Sequence, residues 1–274
     1  MPFAEVSGRK VYYELHEPDP PLVRSAPPLV LLNGIGGSCR GWVPLQVPEF
    51  SKSRPTLIFD HRGVGQSEDP GGPFSTADLA ADTAGLLEVL GVERADVLGG
   101  FMGGMAAQEL ALSFPERVRK LVLVGSYARP DAKRRMLLED WAQLARSGVP
   151  MEGMVRKRLV WTLSDETLEQ TDLIETMLDF FLKQDTPVGS DLFERQCLAC
   201  LGHDTLDRLG GLEAPTLILC GKEDQLTPPK LHHELSRVIP HSRLVVIEFG
   251  AHLVMAESAV RFNQIVQQFL DEHD

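Results

Sequence analysis

The chain has 274 residues, 43% of them apolar and 24% charged, which suits one large folded domain or a core with a smaller insertion and excludes a disordered chain. Its net charge of −12 disfavours nucleic acid and anionic membrane surfaces as partners.

The N-terminus, Met1-Pro2-Phe3-Ala4-Glu5, has no apolar stretch of the signal-peptide kind, and no run in the chain approaches the length of a membrane span. A cytoplasmic protein is expected, and no residue pattern sets an oligomeric state. Strands are expected at residues 10–17, 28–33, 56–60, 96–99, 119–125, 215–220 and 243–249. Several are short, continuous apolar runs rich in β-branched residues, as in Leu29-Val30-Leu31-Leu32, which suits strands buried on both faces of a parallel sheet.

Helices alternate with these strands. Residues 76–90 place Leu79, Thr83, Leu86, Leu87 and Leu90 on one face, with Ser75 as N-cap, Asp78 three residues on, and Gly91 after the last turn. Residues 257–270 repeat the pattern with Val260, Phe262, Ile265, Val266, Phe269 and Leu270. The alternation implies a doubly wound α/β sheet. From 129 to 208 it stops, and helices are expected instead at 131–147, 151–162, 166–184 and 189–201. An all-helical insertion reads as a cap on a core formed by 1–128 and 209–274. Most of its aromatic and methionine side chains must form its own core. Trp141 and Trp161 are the candidates for facing a substrate, since ligand sites favour such junctions. Cys197 and Cys200 form a C-x-x-C inside an expected helix, so they read as small apolar residues one turn apart. Four cysteines in a chain this long make no disulfide framework.

Four loops carry the chemistry. Asn33-Gly34-Ile35-Gly36-Gly37-Ser38 follows a strand; a dinucleotide loop would need glycine where Cys39 stands. Asp60-His61-Arg62-Gly63-Val64-Gly65-Gln66-Ser67 follows the next. Gly99-Gly100-Phe101-Met102-Gly103 joins a strand to a helix-forming segment. Asp224 and then His252 each follow a later strand. In this order and at these strand ends, the motifs resemble the α/β-hydrolase superfamily, in its cap-bearing, esterase- and lactonase-like branch, over essentially the whole chain outside the cap.

The resemblance implies a triad acid at Asp224, a triad base at His252, and oxyanion donors at the backbone N–H groups of Ile35 and Met102. It implies a nucleophile at position 101, on a sharp turn flanked by Gly99 and Gly103. Phe101 stands there instead. A bulky residue in the strained elbow conformation costs about 1–3 kcal/mol, and its ring would point into the site, so Phe101 is also a candidate substrate contact. Asn33 replaces the family's usual histidine and is expected to hold its loop by local hydrogen bonds. Asp60 and Arg62 are expected to pin a structural turn, with His61 a surface or loop residue. No metal or cofactor is implied: His232 and His233 are consecutive on an expected helix and face different directions.

Phenylalanine can neither attack a carbonyl nor accept a proton, so an acyl-enzyme through residue 101 is excluded. Three readings follow. His252 with Asp224 acts as general base on water or on an acidic small-molecule substrate, an apolar ester, lactone or polyketide-like carbonyl compound, by hydrolase, lyase or cyclase-like chemistry. Alternatively the protein is a serine hydrolase whose nucleophile was replaced, or a non-catalytic small-ligand-binding protein. Ser38, Cys39 and Ser126 lie near strand ends, and a distance near 3 Å to the His252 ring would qualify one of them as a substitute nucleophile.

Overall fold

The computed structural model describes residues 3–19, 26–183 and 188–272. The strands are β1 (Phe3–Val6), β2 (Arg9–His16), β3 (Leu29–Leu32), β4 (Thr56–Phe59), β5 (Ala95–Gly100), β6 (Val118–Val124), β7 (Thr216–Gly221) and β8 (Ser242–Ile247). The helices are α1 (Val47–Phe50), α2 (Thr76–Val89), α3 (Met102–Ser113), α4 (Ala132–Arg146), α5 (Met151–Thr162), α6 (Asp165–Leu168), α7 (Thr171–Leu182), α8 (Ser190–Leu201), α9 (Pro229–Val238), α10 (Val254–Glu257) and α11 (Ala259–Asp271).

The strands form one eight-stranded sheet in the order β1-β2-β4-β3-β5-β6-β7-β8. The first two strands are antiparallel to their neighbours and the rest run parallel. Alternation along each strand feeds two cores. Val30 and Leu32 join α2 and α3 on one face, while Leu29 and Leu31 join Phe262, Val266 and Phe269 of α11 on the other. That is why the parallel strands read as unbroken apolar runs. The chain direction across the sheet reverses around β3 and β5. In an open α/β sheet, the crevice beyond the carboxyl ends of strands at such a reversal is where ligands bind.

Strand β1 escaped the sequence reading. It is a four-residue edge strand, closed onto β2 by Ser7 and Gly8, whose φ angles of 51° and 75° make the two-residue hairpin turn. The capping box at Ser75 and Asp78 is present, and Gly91 takes φ 68° after the end of α2. The helix expected over 166–184 is two helices, because Ser164 caps a first short turn and Gln170 leaves helical geometry at ψ 77°. Its last residue lies outside the described ones. The helix expected over 257–270 is likewise interrupted at Ser258, between α10 and α11.

Between β6 and β7 the described residues carry no strand. Helix α4 packs along α8, with Trp141 against Phe193 at 6.4 Å between ring centroids. Val155, Leu159, Leu163 and Leu178 form a separate small cluster across α5 and α7. No described helix is long and apolar enough to cross a membrane.

Candidate active site

The carboxyl ends of β3, β5, β6, β7 and β8 bring the expected residues together. The tightest turn is at the end of β5. Phe101 takes φ 45° and ψ −107°, a conformation L-residues rarely adopt. Hydrogen bonds hold it there: its N–H donates to Val124 O at 2.9 Å, and its carbonyl accepts from Met105 N at 3.0 Å and Ser126 Oγ at 3.1 Å. Gly99 and Gly103 are required by crowding, since a Cβ on either would strike backbone, that of Gly103 in one case and of Leu32 in the other. The sharp elbow is therefore intact around a side chain that cannot use it as a nucleophile.

The Phe101 ring is 3% exposed and stands edge-on to two others. Its centroid lies 5.4 Å from the His252 ring at 81°, and 6.0 Å from the Tyr127 ring at 76°. Tyr127 is fixed from behind by its hydroxyl, which donates to Cys200 O at 2.9 Å. His252 is 6% exposed and lies against Gly125, where φ 54° and the closeness of the imidazole both demand glycine.

The acid side is closely built. Asp224 Oδ2 accepts from His252 Nδ1 at 3.0 Å and from Thr227 Oγ1 at 2.7 Å, while Oδ1 accepts from Thr227 N at 2.7 Å. This network assigns the imidazole proton to Nδ1 and leaves Nε2 a free lone pair, with no protein partner among the described residues. Burial, the largest influence on Asp224, opposes its ionisation. The His252 ring, the hydrogen bonds and His232 together outweigh it and hold the carboxyl below its ordinary value. His232 itself is fully buried, and burial draws it down to about 4 against the pull of Asp224. Its Nε2 accepts from Ser126 N–H at 3.2 Å, so it serves as a neutral buttress behind the acid.

The 33–38 loop lies against the elbow: a Cβ on Gly34 would sit 3.5 Å from Phe101 Cβ. The backbone N–H groups of Ile35 and Met102 have no acceptor among the described residues. Two side chains from the inserted helices grip this loop. Gln196 Oε1 accepts from Gly36 N at 2.8 Å, and Arg158 Nη2 donates to Ile35 O at 3.0 Å. Neither residue was singled out in the sequence, where each is one polar residue on an amphipathic helix. Thr227 was missed as well, although its place three residues after the acid is the signal of a side-chain-closed turn.

The expectations for His61 and Asn33 are corrected. His61 is a loop residue but not a surface one: it is 2% exposed, edge-on to Phe59 at 5.2 Å, and burial draws it down to about 4. Asn33 does not hold its loop by donation, because its buried Nδ2 has no partner among the described residues. Asp60 does that work, accepting from Cys39 N at 2.8 Å and Gln66 N at 3.0 Å. Arg62 reaches away to Asp82 at 2.8 Å. Ser38, Cys39 and Ser126 make no hydrogen bond to His252 among the described residues. The Ser126 hydroxyl is committed to Phe101 O and Gln108, and burial pushes the Cys39 thiol far up. Trp141 is 2% exposed within the core shared by α4 and α8, and half-buried Trp161 packs against the same core. Cys197 and Cys200 are buried free thiols within α8. No group of three or more His, Cys, Asp or Glu among the described residues could hold a metal ion.

Comparison with known proteins places this arrangement. Residues 27–259 match the family model described as alpha/beta hydrolase fold. A protein of Azorhizobium caulinodans bearing the name carbamate hydrolase RutD is 30% identical over all of both chains. One of Mycobacterium tuberculosis bearing the name non-heme bromoperoxidase BpoC is 33% identical, over 88% of this chain and 93% of that one. The crystal structure of an enol-lactonase from Burkholderia xenovorans LB400 superposes with a TM-score of 0.88 at 27% identity, covering 99% of this chain and all of that one. The chain belongs to the α/β-hydrolase fold family.

Proposed function

We propose that this protein is an enzyme that acts on a small carbonyl compound by general-base catalysis, with His252 as the base, Asp224 as its orienting acid, and no covalent intermediate. The observation that carries the reading is the state of the imidazole. Its Nδ1 is tied to Asp224 at 3.0 Å, and its Nε2 lone pair is left without a protein partner among the described residues, beside the Phe101 ring. A base needs a free lone pair, a fixed tautomer and a counter-charge for the imidazolium. A pseudoenzyme that only bound ligand would have no use for that set.

The remaining parts follow the same logic. The N–H groups of Ile35 and Met102 serve as oxyanion donors, since backbone donors survive the loss of a serine side chain. Segment 129–208 works as a cap over the sheet ends. The Phe101 ring occupies the volume of a nucleophile and its acyl group, so the substrate sits above it as a guest of an apolar floor. Water or an acidic C–H or O–H of the substrate gives its proton to Nε2. The relatives' names suggest lactones or carbamates as the class, and a cofactor-free hydrolysis fits these residues best.

One observation favours a second reading, a serine hydrolase that lost its nucleophile: residue 101 keeps the strained elbow geometry, at φ 45°, that a small nucleophile needs. The substitution Phe101→Ser separates the two. General-base action expects native turnover of a panel of short-chain esters and lactones to be lost in His252→Ala, with no fluorophosphonate labelling of the native protein. A replaced nucleophile expects an inert native protein, and hydrolysis and labelling gained by Phe101→Ser.

A further inference from the structure

Among the described residues, Arg158 is a cation without an acidic partner. Most of the other buried or partly buried arginines of this acidic chain are paired, Arg9 and Arg62 with Asp82, Arg54 with Asp96 and Arg208 with Glu109, while Arg117 donates to Val92 O. Arg158 makes no salt bridge among the described residues. Its contacts are one hydrogen bond, Nη2 to Ile35 O at 3.0 Å, and two aromatic faces, Phe193 at 5.5 Å and Phe181 at 6.0 Å from the guanidinium carbon. Loss of water around the group draws it down to about 10, with the Cys197 thiol opposing, which leaves it charged at neutral pH. An unpaired cation withdrawn from water is costly, and a fold with 39 acidic residues could readily have supplied a partner.

Its place is as telling as its lack of a partner. The guanidinium packs on Gly36, where φ 67° disfavours any side chain and an added Cβ would push the guanidinium away. It thus sits within a residue or two of the Ile35 N–H. One turn further along α5, Thr162 O accepts from Leu253 N at 2.9 Å, beside His252. Helix α5 therefore spans the site, with Arg158 over the proposed oxyanion donor and Thr162 over the base. Gln196 steadies the same loop through Gly36 N–H.

We infer that Arg158 is the receptor for a carboxylate on the substrate, so the molecule turned over is a small ester, lactone or ketone bearing a carboxylate a few bonds from its reacting carbonyl. The inference rests on the general-base reading only for the identity of that carbonyl. A planar guanidinium offers paired N–H groups that match the two oxygens of a carboxylate, and the flanking rings restrict it to a flat, singly charged guest. Among the described residues named around the site, Arg158 is the one arginine or lysine, so a single carboxylate is the group it neutralises. Held there, the anion would set the substrate's carbonyl at the Ile35 and Met102 donors.

The test is a binding measurement, which does not depend on turnover. Titration calorimetry with 4-oxo-4-phenylbutanoate and with its neutral amide is run on the native protein, Arg158→Met, Arg158→Lys and His252→Ala. The acid is expected to bind native protein and His252→Ala at least tenfold more tightly than the amide. Arg158→Met should bind the two alike, and Arg158→Lys should keep part of the preference. Equal binding of acid and amide by the native protein, binding of neither, or a preference that survives Arg158→Met would overturn the assignment. Retained preference in a native protein that turns over no substrate would leave the carboxylate site standing and remove the catalytic reading.

Discussion

At the scale of one residue, a phenylalanine at φ 45° is held in place by its surroundings. The strain of about 1–3 kcal/mol is opposed by burial of the ring, worth about 2–3 kcal/mol, and by three backbone-centred hydrogen bonds. These terms can be separated. Phe101→Ala and Phe101→Gly both remove the ring, but only glycine relieves the backbone. Phe101→Gly is therefore expected to be more stable than Phe101→Ala by about 1 kcal/mol in urea unfolding, although glycine normally costs about that much relative to alanine. The reverse order would mean that the turn is relaxed. Position 101 was legible in the sequence because Gly99 and Gly103 frame it. Arg158 and Gln196 were not, because their importance comes from contacts with residues far along the chain.

At the scale of elements, the site depends on how the inserted helices meet the loop after β3. Arg158 and Gln196 both grip that loop, and Gly36 is the residue beneath them. Gly36→Ala places a methyl group against the guanidinium at a positive φ. It is expected to lower stability by about 1–2 kcal/mol and to abolish the preference for a carboxylate ligand, read by thermal melting and by the titration above. An unchanged melting temperature would show that the loop and α5 are not in the contact described. The sheet strands were readable because each is a short apolar run between polar turns. The helix boundaries were less so: Gln170 and Ser258 interrupt helices whose apolar pattern continues across the break. The edge strand β1 has too few residues to announce a period.

At the scale of the molecule, buried histidines set the response to acid. His61 and His232 are drawn down to about 4, and His203 to about 3, each chiefly by burial. In the unfolded chain these groups take up protons near their ordinary value of 6.5, before the folded protein does. Their contribution to stability is therefore complete above about pH 6.5 and lost as pH falls toward 4. Asp224, held below its ordinary value, adds a loss at lower pH in the same direction. Melting temperature should fall steadily below about pH 6.5, and His232→Gln should flatten that slope. A flat native profile from pH 7 to pH 4.5 would contradict the burial of these rings. This behaviour was hidden in the sequence, where His61 reads as a loop residue. The order of motifs along the sheet was open to reading there, because each motif sits at a strand end that the chain itself announces.

The most direct measurement is steady-state turnover of a carboxylated aryl ester by the native protein and by His252→Gln, with pre-steady-state product release recorded for both. General-base catalysis without a nucleophile requires native turnover with no initial burst, and a fall of about a hundredfold or more in His252→Gln. Equal turnover by the two proteins, or a stoichiometric burst from the native one, would contradict it.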